Sequence, residues 1–328
     1  MVGNHSNEKS KANNKAKELL ARVPGLSGMR IVLSHPQARV GFAIISFFVL
    51  MAVFAPVIYR QDPSQYHGEI NAPPSRDHIL GTDPLGRDEF GLVVWGARIT
   101  LLIGFGTGAL GMLVATVIGL LAGYFGRRVD DVLSFITNLF LVIPGLPLLV
   151  VLSAYLKPGT GVVILVLALT GWAFHARIIR AQTMSLREKD YVAAALVAGE
   201  KHLSIIFRQI LPNLVNLVTG GFVGTTIYGI GASTALSFLG LTKMTDISWG
   251  TNLFYAQNGN ALLIGAWWVF LPSGLCVALC AFALAWINFG MDEITNPRLR
   301  AERELRKTLG RRVKLWRVRA TPVQRRYV

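Results

Sequence analysis

In a chain of 328 residues, 52% are hydrophobic and only 16% are charged. Soluble domains carry charge on about a quarter of their residues, so this composition excludes an ordinary soluble protein and selects a membrane class. The net charge of +15 would suit a nucleic-acid binder, but the basic residues lie between and outside long apolar runs, which excludes nucleic acid as a partner.

Residues 1–39 are polar and precede a first apolar run at 40–58. That leading stretch is longer than the charged segment of a signal peptide, and no Ala-x-Ala site follows the run, so 40–58 reads as a retained anchor. Further runs follow at 99–124, 132–156, 162–179, 214–239 and 261–289. Each meets or approaches the roughly 20 residues that a membrane-spanning helix needs. The expected fold is an all-α membrane protein with six transmembrane helices. Its parts are a tail over 1–39, an anchor over 40–58, an external loop over 59–98, a five-helix core over 99–289 and a basic tail over 290–328.

Within the second run, Gly104 and Gly108, and Gly119 and Gly123, are small-xxx-small pairs that let helices of one bundle approach closely. Pro144 and Pro147 in the third run and Pro272 in the sixth remove backbone hydrogen bonds and predict kinks. The fourth run is the weakest, with His175 and Arg177 near its end placed at the membrane interface. Cys276 and Cys280 lie one turn apart in an apolar run, too few and too deep for a disulfide framework or a zinc site, and read as inert packing. Asn138, Asn216, Tyr228 and Asn288 are the deepest hydrogen-bonding side chains, and each is expected to satisfy a neighbouring helix.

Alternate connections differ sharply in basic content. Of the 33 Lys and Arg, 27 fall in residues 1–39, 125–131, 177–213 and beyond 289, and 6 fall in the others. Basic residues concentrate on the cytoplasmic side, so both termini and the 180–213 connection are expected there. The tail contains Trp316 among Lys314, Arg317 and Arg319, a composition suited to anionic lipid, to a solvated, disordered segment or to contact with a partner subunit.

The 180–213 connection has no Gly/Ser/Pro tract. Asp190 is placed as an N-cap, Tyr191 to Ala198 are helix formers and Gly199 is a stop. A second helix is expected from Leu203 to Leu211, ended by Pro212, with Leu203, Ile206, Phe207 and Ile210 on one face. On the other side of the membrane, Gly81, Pro84 and Gly86 make residues 78–88 turn-rich, with Asp83, Arg87 and Asp88 in a local ion-pair network.

The stretch from Asp190, Tyr191 and Val192 through Ala193, Ala194 and Ala195 to Gly199, closing on Leu211 and Pro212, resembles the "EAA" loop of bacterial ABC importer permeases. The Glu of that pattern is Ala193 here. Two further stretches are similar to the "C" permease of the dipeptide/oligopeptide/nickel group. One runs from His78 through Gly81, Thr82, Asp83, Gly86, Arg87 and Asp88 to Arg98; the other runs from Leu236 to Leu241 and then Ser248 to Gly250. The resemblance covers residues 35–297 and implies a type I importer permease with a cytoplasmic coupling helix between spans 4 and 5. It implies as partners a second permease, two cytoplasmic ATPases that dock on the coupling loops, an external solute-binding protein and the lipid bilayer of the bacterial inner membrane. It implies coupling roles for Asp190, Tyr191, Ala193 to Ala195, Gly199, Leu211 and Pro212. Substrates in this group are short peptides, nickel complexes and some oligosaccharides.

The chain lacks Gly-x4-Gly-Lys-Ser/Thr, so no nucleotide hydrolysis is expected within it. Cofactors are expected to be none in this chain, with ATP and Mg held by the partner ATPases. The six His are scattered without metal or triad spacing. A self-sufficient secondary transporter or neutral channel is the competing class, but such proteins place ionisable groups in the membrane or use internal repeats. With no charge at the centre of any run, substrate selectivity is expected to lie outside this chain.

Overall fold

The computed structural model describes residues 36–295, apart from 144, 157 and 158. The expected tail segments at 1–35 and 296–328, and Pro144, lie outside the described residues. Residues 36–288 form one compact unit, to which the account below refers.

Every regular element among the described residues is helical: α1 (Pro36–Ile58), α2 (Glu89–Phe125), α3 (Arg127–Val142), α4 (Gly145–Tyr155), α5 (Thr160–Arg187), α6 (Asp190–Val197), α7 (His202–Ile205), a π-helical turn (Ile206–Ile210), α8 (Leu211–Phe238), α9 (Trp249–Asn258) and α10 (Trp267–Thr295). Five stretches are long and apolar enough to cross a membrane: α1, α2, α5, the run from His202 to Phe238, and Trp267–Met291.

The third apolar run is two helices rather than one. Ile143 is extended at φ −68° and ψ 125° and caps α3. It is the residue before Pro144, and a proline disfavours helical backbone in its predecessor. Pro147 then falls in the first turn of α4, where its missing N–H costs nothing. The second helix begins ten residues ahead of its apolar run, because Asp88 caps it through bonds from the N–H groups of Phe90 and Gly91.

Glycines set the order of packing. A side chain at Gly104 or Gly108 would strike Ile230 or Thr226 of α8, and one at Gly119 or Gly123 would strike Ile179 or Thr183 of α5. The two small-residue pairs of α2 therefore seat α8 and α5 inside one bundle. Residue numbers rise together along α2 and α5 and run oppositely along α2 and α8, so the α1–α2 and α5–α8 connections lie at opposite ends.

The α8–α10 connection holds a short helix, α9. Trp249 is fully buried, donates from Nε1 to the Val93 carbonyl at 2.9 Å and packs edge-on against Phe48. Ser248 and Thr251 close a capping box beneath it. Farther along, Asn252 donates to Ser273 Oγ at 3.0 Å, and Ser273 reaches the fully buried Glu89 of α2 at 3.5 Å.

The deep polar side chains divide. The Tyr228 hydroxyl lies 2.9 Å from that of Thr170, and Asn138 accepts from Arg177 at 3.0 Å. The Asn288 side-chain oxygen is buried without a partner, contrary to expectation. Cys276 and Cys280 are both free thiols.

Candidate functional site

At one end of the bundle, α5 stops at Arg187 and the chain turns within two residues into α6. The N-cap of α6 is Lys189, in extended backbone, and Asp190 is the first helical residue. The expected capping role of Asp190 is thus displaced by one position, and its carboxylate sits in the first turn, where it still complements the helix dipole.

α6 is anchored by two side chains. Val192 is fully buried and Ala195 is nearly so, both joining a cluster with Trp172, Ile179, Ile205 and Leu214. Burying a valine contributes about 2 kcal/mol, enough to seat a two-turn helix but little more. The helix ends where Glu200 N donates to the Ala195 carbonyl and Gly199 N to that of Leu196. This paired closure requires a left-handed residue, and Gly199 supplies it at φ +79°. No atom lies within 4 Å of where a Gly199 side chain would start, so the demand for glycine is one of backbone alone.

The next helix departs from expectation in two ways. Ile206 and Ile210 are buried with Ile205, whereas Leu203 and Phe207 are 61% and 60% exposed, so the four apolar residues do not share one buried face. Nor does Pro212 end the helix. Leu211 N donates to the Ile206 carbonyl, five residues back, and the chain runs on into α8. The wider π turn gives the proline ring room against the preceding carbonyls and absorbs its missing N–H. Tyr124 at the end of α2 ties this start down through a 2.8 Å bond between its hydroxyl and His202 Nδ1.

The opposite end is built around Asp83, which is buried. Its Oδ1 accepts from Leu85 N and Arg87 N, and its Oδ2 accepts from Arg87 Nε at 2.8 Å and Nη2 at 2.6 Å. Arg87 lies over the Tyr255 ring of α9 at 4.6 Å. Asp88 stands apart from that pair: one oxygen caps α2 and the other meets His78 Nδ1 at 2.9 Å. Thr82 donates to the Glu69 carbonyl and accepts from Ala72 N, lacing the two halves of the connection together. Gly81 and Gly86 take φ +73° and +69°. A side chain at Gly81 would also press on Trp268, and one at Gly86 on Tyr66. Nearby, burial and the carboxylates of Asp88 and Asp62 push the Tyr59 hydroxyl up to about 12.

A short helix rooted by two residues, a glycine closure and a rigid loop at the far end of a five-span bundle can be compared with known proteins. Residues 115–301 match the family model of the binding-protein-dependent transport system inner membrane component. Residues 28–74 match the N-terminal TM domain of oligopeptide transport permease C. The chain belongs to this permease family.

Among curated permeases, it is 34% identical to the oligopeptide transport system permease protein OppC of Bacillus subtilis, over 81% of this chain and 87% of that one. It is 34% identical to the dipeptide transport system permease protein DppC of the same organism, over 83% and 85%. It is 28% identical to the glutathione transport system permease protein GsiD of Pectobacterium atrosepticum, over 83% and 90%. As an ABC permease the chain is a multi-pass membrane transport component.

Within the permease, the residues singled out from sequence fall into three groups. Val192 and Ala195 root α6 in the core, while Tyr191, Ala193 and Ala194 face outward. Gly199 closes the helix, and Leu211 and Pro212 belong to the base of α8. Gly81 to Asp88 form the scaffold at the other end, and beside it the side chain of Glu89 is buried with its Oε2 lacking a partner. Sequence reading missed Glu89 and Asn252, and marked Trp249 only as part of a family-like stretch, without its buried packing role. A charge just outside an apolar run, and a tryptophan between capping residues, were the available signals.

Proposed function

We propose that this chain is one of two permease subunits of an ATP-driven importer for di- or oligopeptides, with both termini in the cytoplasm and α6 as its coupling helix. The observation that carries the reading is the surface left open around α6. Leu196 and Val197 are 45% and 91% exposed, and across Gly199 Leu203 and Phe207 are also exposed. A protein surface with clustered bulky apolar groups marks an interaction site. Here it lies on the connection that the excess of Lys and Arg assigns to the cytoplasm, where a nucleotide-hydrolysing subunit would dock.

The oligopeptide and dipeptide relatives favour a peptide substrate over nickel complexes or oligosaccharides. The second permease, two ATPases and an external binding protein complete the assembly, and ATP and Mg belong to the ATPases. No residue of this chain takes part in hydrolysis in this reading. Its work is to carry nucleotide-driven displacement of α6 into α5 and α8, which it does to the extent that nucleotide state and pathway orientation bias one another.

The test is uptake of a labelled dipeptide by proteoliposomes holding the whole complex, with and without ATP and binding protein. Single cysteines near Gly199 should react with an impermeant thiol reagent only from the ATPase side, and cysteines near Gly68 only from the other. Uptake by the permease alone, or reversed labelling, would refute the assignment.

A further inference from the structure

α3 is poorly buried: Phe140 packs edge-on against Trp172 of α5, and the rest of its hold on its neighbours is polar. Thr137 is its one buried residue, while Val132, Phe135, Leu139 and Val142 are exposed. Asp130, Ser134, Thr137 and Asn138 are spaced to lie along one side of the helix. That side faces Gly119 of α2 and Arg177 and Arg180 of α5 around a cavity of about 190 Å³. Lined by hydroxyls, an amide and guanidinium groups, it has room for several waters at about 30 Å³ each.

Two polar links cross this gap. Arg180 engages both oxygens of Asp130 through Nε and Nη2, the second at 2.6 Å, and Ser134 donates to the same carboxylate at 2.9 Å. One turn away, Arg177 Nη2 donates to Asn138 Oδ1 at 3.0 Å. Hydrogen bonding from Arg180 holds the Asp130 carboxyl below the ordinary carboxylate range, so the pair is ionic at neutral pH. A bidentate arginine–carboxylate link fixes direction as well as distance, which apolar contact does not.

The ends of α3 are joints. It starts directly after Gly126, at φ +63°, and stops at the extended Ile143. Arg177 and Arg180 sit on α5, the helix that leads into α6.

We propose that the Asp130–Arg180 pair, seconded by Asn138–Arg177, is a clasp that makes α3 follow α5, so that displacement of the coupling helix moves α3 as a gate. This rests on the permease reading above. Asp130 and Arg180 are positioning residues: they act through the helices they join.

The test uses the whole complex in proteoliposomes. In Asp130→Asn, peptide moved per ATP hydrolysed should fall about ten-fold, within the usual span of coupling between sites, while assembly and basal hydrolysis persist. The swapped pair, Asp130→Arg with Arg180→Asp, should recover most of the ratio. An unchanged ratio in Asp130→Asn, or an assembled swap that recovers nothing, overturns the proposal.

A second measurement leaves the clasp intact. With Cys276 and Cys280 replaced by alanine, spin labels are placed on the exposed Leu139 and Phe174 to report α3 against α5, and on Leu139 and Leu113 to report α3 against α2. Between nucleotide-free and ATP-trapped states the first distance should hold and the second should change. A first distance that changes, or a second that does not, overturns the proposal. Because these distances do not depend on substrate, a complex that moves α3 with α5 but imports no peptide would refute the peptide reading and leave the clasp standing.

Discussion

The two ends of this bundle are held together by different means. At the α1–α2 end a single buried carboxylate, Asp83, accepts four hydrogen bonds, and its partner Arg87 is stacked on Tyr255 of a separate helix. At the α5–α8 end a whole helix, α6, is rooted by Val192 and Ala195 and closed by a glycine. Directional bonds between buried groups fix one arrangement, because any displacement leaves charges unpaired. Two apolar anchors permit sliding at modest cost. The first end is thereby suited to present a fixed surface, and the second to be displaced.

Four outcomes would break or sharpen that contrast. Asp83→Ala strands the nearly buried Arg87 guanidinium and should be the most damaging, at about 3–5 kcal/mol, read as loss of folded protein in thermal unfolding of the detergent-solubilised chain. If it unfolds no earlier than the parent protein, the fixed end is not fixed by this pair. Gly199→Val forces a branched side chain into left-handed backbone, costing about 1–2 kcal/mol. The protein should still insert, and ATP-driven uptake should fall by more than its amount does. Wild-type uptake would remove the closure from the coupling path.

Phe207→Ala should change stability by less than about 0.5 kcal/mol, since the ring is largely exposed. It should nonetheless weaken retention of the ATPase during co-purification. Full retention would show that the open apolar surface faces something else. The smallest effect expected is with pH. The Asp130 pKa is lowered in the folded protein, so the stability the pair contributes is complete above the ordinary carboxylate value, near 3.9, and is lost only as pH falls through the lowered one. The ratio of wild-type to Asp130→Asn transport should therefore be flat from about pH 5 to 8. A step within that range would mean that Asp130 is not held by Arg180 as described.

Most of the bundle was legible in the sequence because lipid imposes a strong local rule: a spanning helix must be apolar along its length. That rule found the runs, and glycine spacing found the seats for α5 and α8. It could not see that the third run is two helices, although Ile143 before Pro144 carried the signal. It failed for Pro212, where an isolated proline predicts a stop and a single wide turn carries the helix past it. It was silent about α9, whose residues mix polar and apolar types because they pack on other helices rather than on lipid. For α6, the break at Gly199 was readable from local chemistry. Which of Leu203, Ile206, Phe207 and Ile210 point inward was not, because the π turn changes the angular step just where the periodicity was being counted.

That wide turn has a mechanical result. By letting the chain pass Pro212 without a stop, it joins the short helix beyond Gly199 and the span behind it into one continuous helical run, His202–Phe238, of 37 residues. At about 1.5 Å per residue the run is roughly 55 Å long, enough to reach from the α5–α8 end of the bundle to the other. The far tip does not end in solvent. Ser237 meets Gly250 at the start of α9, directly beside the buried Trp249. The loosely rooted end and the underside of the rigid one are thus joined by a single continuous helical run.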